Sequence, residues 1–184
     1  MLSRTILFAI LLLLASTGFT REQIPQQLGD LVIGKAPPCK YLVGQCDGPE
    51  QVWYVTDDAL PKMWLSLAPE MQGIVKGATI TSYKGRAVQV IFSLHPSVKF
   101  EDVNRSFTNR FGNGQKKNVR TLPISKSEDC PKLYLIQNWS YGKGELTVMW
   151  DKDDVVRVVL RDNLAREMDK DPEYAPDSEP CLDF

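Results

Sequence analysis

From Leu133 to Leu160 the chain alternates in three short runs, broken by Tyr141-Gly-Lys-Gly144 and Asp151-Lys-Asp-Asp154. Leu133, Leu135, Gln137 and Trp139 share one face of the first run. Leu146, Val148 and Trp150 share a face of the second, and Val156, Val158 and Leu160 a face of the third. Side chains on a strand alternate with a period of two, so each run has one face to bury. Connections this short join only antiparallel neighbours, because a parallel pair needs a long crossover. Every other segment has to fit a three-stranded meander.

Two upstream segments fit it. Ala78 to Tyr83 is rich in Thr and Ile, Lys84-Gly85 makes a turn, and Val88, Val90, Phe92 and Leu94 alternate with Ala87, Gln89, Ile91 and Ser93. This is the pattern of a β-hairpin with one buried face. Phe100, Val103, Phe107 and Phe111 then follow at helical spacing, while Asp102, Arg105 and Asn109 fall elsewhere around the axis. Glu101 and Asp102 in the first turn, Arg110 in the last and Gly112 just beyond agree with the helix dipole and a glycine stop. The predicted fold is α+β. It is an antiparallel sheet built as hairpin, helix and three-strand meander, with one amphipathic helix packed on one face.

The flanks are less regular. Leu28 to Ile33 is a short strand or helical turn, and Val52 to Val55 a strand. Thr56 or Asp57 is expected to cap a helix carrying Leu60, Met63, Trp64 and Leu67, with Pro61 in its first turn and Pro69 ending it. Residues 112–131 are expected to form a loop, and residues 163–170 a short helix or tail. The helix ending Arg110-Phe111-Gly112, the Trp-bearing strand and the meander resemble small exported bacterial domains of uncharacterised function, over residues 74–162. That resemblance brings no functional residues with it.

The first 20 residues have the three parts of a secretory signal peptide. Arg4 precedes an apolar run from Ile6 to Ala15, and Ser16, Thr17, Gly18 and Thr20 follow. Ten strongly apolar residues make about 15 Å of helix, roughly half a bilayer core, so a stable span after signal removal is not expected. The chain is therefore expected to be exported, to a periplasmic or extracellular location. In an oxidising compartment the four cysteines, Cys39, Cys46, Cys130 and Cys181, are expected to form two disulfides. Three pairings exist. We expect Cys39–Cys46, closing a short loop, and Cys130–Cys181, pinning the acidic tail. The organisation is then a signal peptide over 1–20, a lead-in over 21–50, one α+β domain over 51–170 and an acidic, proline-bearing tail over 171–184.

Charge and composition narrow the chemistry. With 22 Lys and Arg against 23 Asp and Glu, the net charge of -1 creates no field for nucleic acid. One histidine excludes sites that need two from the same chain, and no metal or other cofactor is expected. His95 precedes Pro96 at a strand end, where a turn residue is expected. Asp151, Asp153 and Asp154 lack the glycine and distal Glu of a calcium loop. The run Gly112-Asn-Gly-Gln-Lys-Lys-Asn118 lacks the spacing of a phosphate loop and follows a helix instead of opening one. Asn104-Arg-Ser106 and Asn138-Trp-Ser140 match glycosylation sequons, which matter only in a eukaryotic secretory pathway.

Two binding features remain. Arg110, Lys116, Lys117 and Arg120 are a candidate cationic patch for an anionic envelope component. Trp53 and Tyr54 point to opposite strand faces, so one is expected to be exposed to a partner. No residue is assigned a catalytic role. The expectation is an exported, non-enzymatic binding or interaction protein of the bacterial envelope or exterior, with a protein or anionic envelope component as partner. The alternative is a small secreted or periplasmic hydrolase using carboxylates such as Asp57, Asp58 or the 151–154 turn.

Overall fold

The computed structural model describes residues 21–44, 52–117, 133–151 and 155–174. Residues 1–20, Cys46, Cys130, Cys181, Arg120, Asp153 and Asp154 lie outside the described residues.

The fold is α+β and antiparallel. In chain order the elements are β1 (Gln27–Leu28), β2 (Leu31–Val32), a 3-10 turn (Cys39–Tyr41), β3 (Val52–Tyr54) and α1 (Leu60–Leu67). There follow β4 (Val75–Tyr83), β5 (Arg86–Leu94), α2 (Phe100–Phe111) and β6 (Gln115–Lys117). The chain continues through β7 (Leu133–Tyr141), β8 (Gly144–Asp151), β9 (Val156–Asp162) and α3 (Leu164–Met168). Among the described residues β1 and β2 pair with each other alone, and the other strands form one sheet in the order β3-β4-β5-β9-β8-β7-β6.

The expected hairpin and meander are both present. Lys84 and Gly85, with φ of 50° and 72°, form the two-residue turn between β4 and β5. The meander is reversed in the sheet, so that its last strand, β9, docks against β5 with Val90 opposite Leu160 and Phe92 opposite Val158. Both pairs point to the same buried face.

That face carries two helices where one was expected. α2 buries Phe100, Val103, Phe107 and Phe111, the stripe seen in the sequence. α1 buries Leu60, Met63, Trp64 and Leu67 beside it, an apolar stripe equally suited to a sheet. Trp64 joins the layers, with its ring 5.2 Å from Phe92 and 6.4 Å from Phe107. Neither Thr56 nor Asp57 caps α1 through its side chain. The N-cap is Ala59, and the N–H groups of Ala59 and Leu60 donate to the Thr56 carbonyl at 3.1 and 3.0 Å. Backbone turn geometry does the work a cap would have done.

Two further departures matter. Residues 115–117, within the expected loop, form edge strand β6 against β7. The lead-in is also no mere tether: Ile24, Leu28, Leu31, Ile33, Tyr41 and Leu42 belong to the main core. On the opposite sheet face Ile136, Met149 and Val159 form a small cluster with Ile91 packed against it. There α3 adds Ala165 to Tyr83 and Val88, with Tyr174 packed alongside. Cys39 opens the 3-10 turn and is not a free thiol. Among the described residues no helix is long and apolar enough to cross a membrane.

Candidate functional site

The apolar stripe of α2 fixes where its other residues go. With the phenylalanines on the sheet, Glu101, Asn104, Arg105 and Thr108 fall at i, i+3, i+4 and i+7 along one flank. That flank, with Asn109, walls a hollow of about 550 Å³. Asn113 and Gly114 close one end, and Gln137 of β7 enters from the sheet.

The short link Gly112-Asn113-Gly114 sets this geometry. Gly112 ends α2 with φ of 85°, in the left-handed region that side-chain-bearing residues resist. Gly114 has a different reason: a Cβ there would lie 2.7 Å from the Asn138 carbonyl oxygen and 2.7 Å from the Trp139 ring. The backbone therefore passes directly over β7, holding Asn113 at the mouth of the hollow. Trp139 Nε1–H donates to the Gly112 carbonyl at 2.7 Å and locks the link down.

Two polar groups of the hollow lack hydrogen-bond partners. Gln137 lies on the buried face of β7, opposite Val148, and is only 4 % exposed. Its Oε1 has no hydrogen-bond partner, and neither has Oδ1 of half-buried Asn104. Buried polar atoms are nearly always paired; Ser82 Oγ, Asn138 Oδ1 and Arg161 Nε are also without partners, and what sets Asn104 and Gln137 apart is that both line one hollow. Glu101 and Arg105 contribute one charge of each sign. Arg105 also stands 3.8 Å from Asp102 in an exposed pair one helical turn away. Ser106 donates to Glu70 and ties α2 to the turn after α1.

The residues singled out from sequence are placed differently. Trp53 is buried in the core, whereas Tyr54, its neighbour on edge strand β3, is 69 % exposed. Arg110 is spent on structure: Nε pairs with Glu22 at 2.5 Å, and Nη1 donates to the Leu67 carbonyl at 2.5 Å. It ties the helix end to the lead-in and to α1. Lys116 sits in β6 opposite Gln137, and Lys117 opposite Ile136. His95 is an exposed turn residue whose N–H donates to Ile74 and whose carbonyl accepts from Val98. Asp57 and Asp58 lie in the exposed turn before α1, away from the hollow.

Sequence reasoning missed the hollow because a polar helix flank has the pattern of a solvated surface. One signal did exist, a glutamine in the buried phase of a strand between Leu135 and Trp139. Elsewhere, Tyr141 has its phenol pushed well up by burial, with the carboxylates of Asp162 and Glu145 adding to the shift. It stays a neutral donor to the Arg161 carbonyl at 3.0 Å. Among the described residues no cluster of His, Cys, Asp and Glu is arranged to hold a metal ion. No family model, curated protein or solved structure matches the chain.

Proposed function

We propose that this chain is an exported, non-enzymatic binding protein of the bacterial envelope or exterior, holding a small polar ligand between α2 and the β6–β7 edge. The observation that carries this reading is the pair of unpaired acceptors, Asn104 Oδ1 and Gln137 Oε1, in the lining of one hollow. Acceptors without a partner in the protein are groups that a ligand can satisfy, whereas a purely structural core rarely leaves them. The described lining contains one carboxylate, Glu101, and hydrolysis by paired carboxylates calls for two.

Export rests on the N-terminal signal pattern and on the cysteines. Cys39 being no free thiol supports stapling. The pairs in this reading are Cys39–Cys46, beside the lead-in that packs on the core, and Cys130–Cys181, tethering the tail.

The test is a titration of the ¹⁵N-labelled mature chain with fractionated envelope material, read by amide shifts. The reading predicts shifts concentrated at residues 101–114 and 137 with no chemical change in the ligand. Turnover that is lost in Asp57→Asn or Asp58→Asn would overturn it in favour of a hydrolase.

A further inference from the structure

We infer that the hollow is a subsite for a neutral, hydroxyl-rich saccharide of one or two rings, an inference that rests on the binding role proposed above. The ligand has to donate hydrogen bonds, because the two unpaired groups are both acceptors. Both oxygens are sealed from water where they stand. The terminal torsion of a carboxamide is broad, so a modest rotation brings each one to the hollow.

The rest of the lining selects among donors. Asn104, Asn109, Asn113 and Gln137 supply four carboxamides, and Thr108 a hydroxyl. Each carboxamide both donates and accepts, which matches sugar hydroxyls that do the same. Glu101 and Arg105 carry one charge of each sign, so the described lining has no net charge to select an ion. The described lining has no apolar side chain to reward a hydrophobic ligand. The hollow, about 550 Å³, is open to solvent, which suits a hydrated polar ligand better than one that must be enclosed. A peptide strand would pair through its backbone with the β6 edge and leave the carboxamides unused.

The ¹⁵N-labelled mature chain is titrated with three probe sets. The first holds glucose, galactose, mannose, N-acetylglucosamine and their neutral disaccharides. The second holds galacturonate and glucose 6-phosphate, and the third a capped tri-alanine peptide. Side-chain amide signals of Asn104, Asn113 and Gln137 should move with at least one neutral saccharide. Gln137→Leu should weaken that binding about ten-fold or more while thermal stability holds or rises, since an unpaired buried group has gone. Lowered stability with saccharide binding unchanged would make the carboxamide purely structural and overturn the inference. No response to any saccharide also overturns it. If anions, peptide or envelope fractions still move the hollow's signals, only the ligand class fails and the binding role stands. Turnover of any probe removes the binding role itself.

Discussion

Trp139 donates its indole N–H to the carbonyl of Gly112 at 2.7 Å, joining the middle of β7 to the end of α2. The same ring stands edge-on to Phe107, with centroids 5.8 Å apart and planes at 88°. It also occupies the space a side chain at position 114 would need. One indole thus sets the spacing between the helix wall, the glycine link and the sheet floor of the hollow.

Replacing Trp139 with Phe keeps an aromatic ring but leaves the Gly112 carbonyl without its donor. The expected loss is about 1–3 kcal/mol, the cost of an orphaned buried group. Urea unfolding of the protein measures it. No loss in Trp139→Phe beside a large loss in Trp139→Ala would show that ring volume, not the hydrogen bond, carries the effect.

Gly114→Ala should push β6 away from β7, because the clashing partners are a backbone carbonyl and a packed ring that cannot swing aside. Overpacking of this kind costs about 1–3 kcal/mol. Hydrogen exchange at Gln115 and Lys117 should accelerate while β8 and β9 stay protected. Unchanged exchange in β6 would refute the close-approach argument.

Phe107 is fully buried and its ring meets Trp64, Phe111 and Trp139. Phe107→Ala should cost about 3–5 kcal/mol through lost contacts and the cavity left behind. Calorimetry reads this directly, and a cost under about 1 kcal/mol would mean that α2 is not seated as described.

Asp171 accepts from the Tyr83 hydroxyl at 2.8 Å and from the Glu173 N–H at 3.2 Å, with Lys84 Nζ 3.6 Å away. The Tyr83 hydrogen bond foremost, then the Glu173 N–H and Lys84, hold its carboxyl below the ordinary range. A depressed folded value means the stabilisation is complete above the unfolded aspartate value of about 3.9. It is lost as pH falls through the folded value. Melting curves of the parent and Asp171→Asn should therefore differ at neutral pH and converge in acid. A constant gap down to the lowest pH would contradict this linkage.

The hairpin, α2 and the meander were legible because their stripes at periods of 2 and 3.6 are long and unbroken. β6 was not, since Gln115-Lys116-Lys117 has no apolar alternation and is defined only by its partner strand. The strand order was equally hidden: the pairing of β5 with β9 depends on residues distant in sequence and leaves no local mark. Of the expected cationic patch, Arg110 has its guanidinium committed to Glu22 and to the Leu67 carbonyl. Sequence spacing carries no information about such tertiary partners. The hollow needed both a helix flank and the buried phase of a distant strand, and only Gln137 hinted at it.

The seam between β5 and β9 also dictates an order of events. A chain that emerges N-terminus first can close the β4–β5 hairpin early, yet the edge along Gln89 to Ser93 stays open until Arg157 to Arg161 arrives. Non-local pairing of this kind is slow to form, and an unpaired edge invites other strands. The molecule therefore finishes only when nearly all of it has been delivered. Until then the half-made sheet is the species most open to mispairing.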